Sequence, residues 1–420
     1  MAKAPLLKRI SKLFGPGFLT GASDNDPTSV ATYSQTGAMF GLGQLWTAAF
    51  ALPFMVAIQE MSGRIGLVTC SGLSGVIKRH YPSSVLYGAV SLLFVANVYT
   101  IGANLGAMAS SIQLFVPMPF MYLLLGITIG PMLLEIFIPY PTYARFLKYL
   151  TLLLLSYFVT ALIVTKDWGA VFSSLITPQF IWDKAFIFNL AAIFGTTICP
   201  YLFFWQSDQE VEEEISRHRV CAVGTASNKK MRELRWDTTV GMVFSQMVTV
   251  FIIVTAAATF GAHGITNIET ATDAALALKP LAGEFASLLF TLGIVGTGLL
   301  AVPVLAGSAA YAISQALGWK ASLGKTFRQA PGFYAVIIIS TLVGLFANLG
   351  PVNPIKMLYY AAVLNGIIAP ILMVLILLIG NNRKIMGDKV NSFRSNFFGI
   401  TITVFMATIA LLLAWHYLVV

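Results

Sequence analysis

Two stretches of this chain set oxygen- and sulfur-bearing side chains beside a proline inside otherwise apolar runs. The first is Ser23-Asp24-Asn25-Asp26-Pro27-Thr28-Ser29, and the second is Gly195-Thr196-Thr197-Ile198-Cys199-Pro200-Tyr201, with Gln206 and Asp208 further along. Proline has no N–H and clashes with the preceding turn, so a helix breaks near it and leaves carbonyl oxygens unpaired. A carboxylate at such a break, with carbonyls and the Ser29 hydroxyl around it, is the oxygen-rich setting that a hard cation takes. An acid in lipid is expensive and faces a cavity or an ion. The same spacing also allows Asp26 to be an N-cap that accepts freed N–H groups, and the two roles can coexist.

These residues need elements to position them, and composition says which kind. Hydrophobic residues make up 57% of the 420 and charged residues 10%, against roughly 25% charged in a soluble domain. The chain therefore reads as an all-α polytopic membrane protein. Eleven runs are long enough to span a bilayer, near 13–40, 44–68, 84–113, 119–139, 143–165, 185–213, 237–262, 283–317, 331–349, 355–380 and 396–418. With a cytoplasmic N-terminus, every one of the 26 basic residues except Lys166, Lys184, Lys279 and Lys356 falls on the cytoplasmic side, the asymmetry that spanning proteins show. This places the C-terminus outside. The net charge of +9 thus reports topology and needs no nucleic-acid partner; the basic 214–236 connection suits anionic lipid headgroups.

Other chemistry is missing from the sequence. No Gly-rich Lys loop cradles a phosphate, and His80, His218, His263 and His416 lack zinc-site spacing, as do Cys70, Cys199 and Cys221. No enzyme and no resident cofactor are expected. The basic segment before residue 13 leads into a span without a small-residue cleavage site, so no removable signal is expected.

The two proline breaks fall in the first and sixth spans, five helices apart. That is the pointer to an inverted repeat whose substrate binds where the broken helices meet. The run Gly15-Pro16-Gly17-Phe18-Leu19, Asp26-Pro27, Ala31-Thr32, Gln35-Thr36-Gly37-Ala38, Phe40-Gly41, Leu45-Trp46, Gln59, Ser62-Gly63-Arg64-Ile65-Gly66, Val68-Thr69 and Tyr81-Pro82 resembles the Nramp family of divalent metal transporters. The resemblance implies an inverted five-plus-five repeat of the LeuT/APC type, with broken helices 1 and 6, alternating access and a metal between them. One transport domain, 1–418, would hold repeats at 13–165 and 185–380 and an extra helix at 396–418.

The departures from that pattern matter as much. The family's Asp-Pro-Gly-Asn is Asp26-Pro27-Thr28-Ser29, its Met-Pro-His is Cys199-Pro200-Tyr201, and a later histidine is Gln206. Loss of thioether and imidazole favours harder ions such as magnesium and manganese, and in this the chain is most similar to the Nramp-related magnesium transporters. The family's acidic pair in the third span, implicated in proton movement, aligns with Ile101 and Asn104, and its tenth-span glutamine with Ala362, one turn from Asn365.

The resulting expectation is a metal site of Asp26, Ser29, Cys199 and Tyr201, with Asp24, Thr28, Thr196, Gln206, Asp208 and Asn365 around it or along the pathway. The cargo is a divalent cation moved without obligatory proton coupling, and the location is multi-pass in a bacterial inner membrane. Two alternatives stay open: proton-coupled transport of a transition metal, and an organic substrate whose amine meets Asp26. The acidic run Asp208, Glu210, Glu212, Glu213 and Glu214 reads first as a solvated helix end and second as a cation exit funnel.

Overall fold

A computed structural model of the chain describes residues 15–138, 154–216, 227–261, 264–350 and 353–418. Both proline breaks are present. The first span is two helices, α1 (Pro16–Asp24) and α2 (Pro27–Phe40). Each starts with proline in its first turn, where the missing N–H costs nothing. Between them Asn25 is non-helical (φ −86°, ψ 60°), and Asp26 is extended and caps α2 by accepting from the Ser29 N–H at 2.9 Å.

The following elements are α3 (Trp46–Thr69), the short α4 (Leu73–His80), α5 (Ser83–Ile112), α6 (Phe120–Phe137), α7 (Leu155–Val164) and α8 (Trp168–Ile176). The sixth span is again double: α9 (Lys184–Thr197) stops at Ile198 and α10 (Pro200–Ser216) restarts at Pro200. Then come α11 (Asn228–Thr259), α12 (Ala271–Leu276), α13 (Lys279–Ala282), α14 (Ala286–Leu317), α15 (Pro331–Phe346), α16 (Pro354–Asn381), α17 (Arg383–Met386) and α18 (Phe393–Leu418).

Among the described residues, α5, α6, the α9/α10 pair, α11, α14, α16 and α18 are long and apolar enough to cross a membrane. The 32 residues of α11 or α14 measure about 48 Å at 1.5 Å per residue, enough to cross the bilayer and project beyond it. The remaining expected spans correspond to α1/α2, α3, α7 and α15. The fifth, expected over 143–165, is represented by α7, since 143–153 lie outside the described residues. α3 is less apolar than these because Gln59, Glu60 and Arg64 occupy its second half, where Glu60 pairs with Arg64 at 3.5 Å and with Arg235 of α11 at 3.6 Å.

Two glycine contacts set how closely the helices around the breaks approach. Gly21 of α1 lies against the Gly241 backbone of α11, so a Cβ there would collide with main chain. Gly195 of α9 meets the Ala362 carbonyl and Gly366 of α16 in the same manner. Small residues permit backbone contact between membrane helices, where dispersion replaces a hydrophobic drive. α18 lies outside this centre, edge-to-face through Phe405 on Phe194 of α9 and Phe398 on Phe54 of α3.

Candidate metal site

The interrupted helices meet end to end. The last turn of α9 touches the first turn of α2, with Ser29 Oγ 2.8 Å from Thr196 Oγ1 and the Tyr33 hydroxyl 2.9 Å from Thr197 Oγ1. The first turn of α10 touches the last of α1, where the Tyr201 hydroxyl donates to the Ser23 carbonyl at 3.4 Å. Asp26 lies at this junction, 2% exposed. Its Oδ1 accepts from the Ser29 N–H at 2.9 Å and hydroxyl at 3.1 Å, and its Oδ2 accepts from Asn104 Nδ2 of α5 at 3.0 Å. The cap role is therefore formed, and it orients the carboxylate.

Ser29 is the hub of the junction: its hydroxyl also lies 2.5 Å from the Asp24 carbonyl. Thr28 donates to Asn104 Oδ1 at 3.0 Å. The Cys199 thiol is buried and donates back to the Gly195 and Thr196 carbonyls at 3.1 and 2.9 Å, the last oxygens of α9. Asp24, Thr28, Ser29, Thr196, Cys199 and Tyr201 thus lie with Asp26 at the two facing helix breaks. Asn365 of α16 lies one element away; it donates to Thr100 of α5 at 3.3 Å, and its Oδ1 is buried with no hydrogen-bond partner among the described residues.

Gln206 and Asp208 are elsewhere. Six and eight residues along α10 from Pro200, they lie about 9 and 12 Å beyond the break at 1.5 Å per residue. Gln206 donates to Thr238 of α11 at 3.1 Å and to Glu210 at 3.3 Å. Asp208 accepts from Gln315 of α14, whose Oε1 takes the Gly75 N–H, and it abuts Gly72 at the start of α4. The acidic run is not a solvated helix end. Asp208, Glu210 and Glu214 are buried, Glu212 accepts from Tyr311 and Ser322 at 3.0 Å each, and Glu214 pairs with Lys230. The correction has a physical cause: α10 ends inside a ring formed by α3, α4, α11 and α14, and buried acids need donors.

Reading the sequence missed Asn104 as a positioning group, Ser245 as the α11 partner of Asp24, and the Tyr33–Thr197 pair. An asparagine within an apolar span was the available signal, since such amides bond across helices.

A cavity of about 500 Å³ opens on the Lys184 and Lys356 side, lined also by Ala31, Gln35, Phe188 and Tyr359. Ala31 is five residues up α2 from Asp26, about 7.5 Å at 1.5 Å per residue. On the opposite side Asp237 of α11 accepts from the Gly15 and Gly17 N–H groups at 2.9 and 2.7 Å and holds the start of α1 in place. Among the described residues no three His, Cys, Asp or Glu side chains form a ready metal cage. The junction offers instead carboxyl groups, hydroxyls and helix-end carbonyls, a donor set for hard cations, beside the Cys199 thiol, which is turned to its own helix.

The fold recurs in solved structures. A manganese transporter of Eremococcus coleocola, in complex with an aromatic bis-isothiourea substituted compound, superposes with a TM-score of 0.74 at 16% identity, over 98% of this chain and 88% of that one. A mutant of the same transporter gives 0.72 at 15% identity, over 100% and 90%. A nucleobase-cation-symport-1 family transporter, closed around bromovinylhydantoin, gives 0.50 at 13% identity, over 96% and 91%. At such identities the likeness establishes the inverted-repeat architecture alone. The sequence goes further, because the pattern of the natural resistance-associated macrophage protein-like family matches residues 17–416, nearly the whole chain including both breaks; this integral, multi-pass membrane protein belongs to the Nramp family.

Proposed function

We propose that the chain is a secondary transporter of divalent metal cations, with magnesium and manganese as principal cargo, working by alternating access without obligatory proton movement. One observation carries the reading: Asp26, buried at the junction of two interrupted helices, lies among hydroxyls and helix-end carbonyls, and among the described residues no imidazole or thioether bonds to it. Family membership, and a manganese transporter among the similar folds, favour a metal over an organic amine.

Asp26 supplies charge, Ser29 its hydroxyl, and the Cys199 and Tyr201 turn its carbonyls and side chains. Thr28 and Asn104 hold Asp26, while Thr196 and Asn365 border the space. Magnesium dehydrates reluctantly and keeps several waters when bound, which suits hydroxyls and carbonyls that can bond to its hydration shell. The 500 Å³ cavity is the external vestibule in this reading, and the Asp237 clamp closes the cytoplasmic side. The transport domain covers 1–418 as two five-helix repeats, 13–165 and 185–380, with the 396–418 helix added. It lies in a bacterial inner membrane with its N-terminus cytoplasmic and its C-terminus external, as the basic residues suggest.

The test is uptake into proteoliposomes of the purified full chain, with magnesium, manganese, calcium and amino acids offered separately. Saturable uptake of magnesium and manganese is expected. Amino-acid uptake with no metal uptake would overturn the reading.

A further inference from the structure

Asp24 is the last residue of α1, 0% exposed and two positions before Asp26. Its Oδ2 accepts from the Ser245 hydroxyl of α11, whereas its Oδ1 is buried with no hydrogen-bond partner among the described residues. The next side chain, Asn25, is 1% exposed, and neither its Oδ1 nor its Nδ2 has a hydrogen-bond partner among the described residues. Buried polar groups are as a rule paired with protein, water or an ion, so three such atoms at one break mark a place for a non-protein partner. The Asp24 carboxylate is within electrostatic range of Asp26, Cys199, Tyr201 and Tyr33, the groups around the junction. Neither Asp24 nor Asp26 joins an ion pair among the described residues.

We infer that Asp24 is a second carboxylate of the cargo site, so that the ion is held between the two acids flanking Asn25. This rests on the reading of the junction as a divalent-cation site and deepens it. The two carboxyl groups are held from opposite walls, Asp24 by Ser245 of α11 and Asp26 by Asn104 of α5. A divalent ion between them is neutralised. With Asp26 alone it would be buried at net positive charge, and charge left uncompensated in a low-dielectric interior is costly. A monovalent ion between the same two acids would leave a net negative charge. Asp24 is thereby the residue that selects valence.

A purely structural role is the competing account, in which Asp24 only ties α1 to α11 through Ser245. Two substitutions separate them. Asp24→Asn keeps an acceptor for Ser245 and removes the charge; Ser245→Ala removes the tie and keeps the charge. Binding of radioactive manganese to the purified full chain is measured with sodium as competitor, alongside the melting temperature. The expected result is at least tenfold weaker manganese binding and relatively stronger sodium competition in Asp24→Asn, with a several-fold smaller loss and unchanged sodium competition in Ser245→Ala. Equal losses in the two variants, or undiminished binding in Asp24→Asn, would overturn the inference. If Asp24→Asn does not fold, Asp24→Ser serves under the same criteria, and unfolding of both while Ser245→Ala stays intact would itself count against a ligand role. Asp26→Asn keeps the two readings apart: normal manganese binding in that variant would remove the cargo site itself, whereas loss there with normal binding in Asp24→Asn removes only the second carboxylate.

Discussion

Asn104 donates to Asp26 at 3.0 Å from its Nδ2 and accepts the Thr28 hydroxyl at 3.0 Å on its Oδ1. One amide on α5 therefore fixes two neighbours on either side of Pro27 and aims the carboxylate. Asn104→Ala should leave Asp26 Oδ2 and Thr28 short of partners and cost about 1–3 kcal/mol of stability. Part of that loss should return on adding manganese, because the ion takes over the orphaned oxygen. Thermal melts with and without the metal check this; a variant as stable as the parent, with no larger metal response, would remove Asn104 as a positioning group.

Asp26 itself has a simpler expectation. Asp26→Asn retains an acceptor for the Ser29 N–H, so the α2 cap survives, but an amide cannot offset the desolvation of a divalent ion. Uptake of magnesium and manganese should fall at least a hundredfold while the protein stays folded and inserted. Parent-like uptake in a folded Asp26→Asn protein would move the site elsewhere.

Selectivity should follow donor softness. Cys199 donates its S–H to carbonyls of its own preceding helix, so the thiol is a small neutral group at the junction. Cys199→Met with Tyr201→His adds a thioether and an imidazole, which should raise the ratio of cadmium or manganese to magnesium uptake by about tenfold or more. Should the unaltered chain already carry cadmium well and exclude magnesium, Cys199 is acting as a soft ligand and the hard-ion reading fails.

Coupling can be read with a dye. Ile101, Asn104, Tyr201 and Gln206 offer no carboxylate or imidazole, and Asn104 is engaged in holding Asp26. Metal entry should proceed on its gradient and the membrane potential, since two charges crossing 100 mV gain roughly 4.6 kcal/mol. Proteoliposomes carrying a pH-sensitive dye should show no metal-dependent acidification at fixed potential. Acidification that requires both metal and protein would establish coupling.

The close approach of α9 and α16 gives a stability test. Gly195→Ala puts a methyl against the Ala362 carbonyl and Gly366, and overpacking of this kind costs about 1–3 kcal/mol. A melting temperature unchanged by Gly195→Ala would show that α16 can retreat freely.

Both helix breaks were visible in the sequence because a proline beside an acid or a thiol is a local signal, and the long apolar runs delimited most spans. What escaped was long-range. Asn104 lies 76 positions from Thr28 and 78 from Asp26, and nothing local to it says that it faces them. The acidic run of α10 misled for a similar reason: Tyr311, Gln315, Ser322 and Lys230, which supply its donors, come from two later elements and a connecting segment. The short α4 was hidden in what read as a loop. It carries Lys78, Arg79 and His80 in its last turn, favourable to a helix C-terminus but indistinguishable by type from a cytoplasmic charge run.

Gln35 grips the segment before α12 with both ends of its amide, donating to the Thr266 carbonyl at 3.1 Å and accepting the Ile268 N–H at 2.9 Å. That segment is pinned in turn to α16, where Asn353 donates to the Glu269 carbonyl at 2.7 Å and Lys356 meets the Glu269 carboxylate at 2.9 Å. The linkage behaves as a tether of fixed length. α2, residues 266–269 and the head of α16 are thereby joined in series, so a tilt of α2 would be carried directly to residues that line the mouth of the cavity.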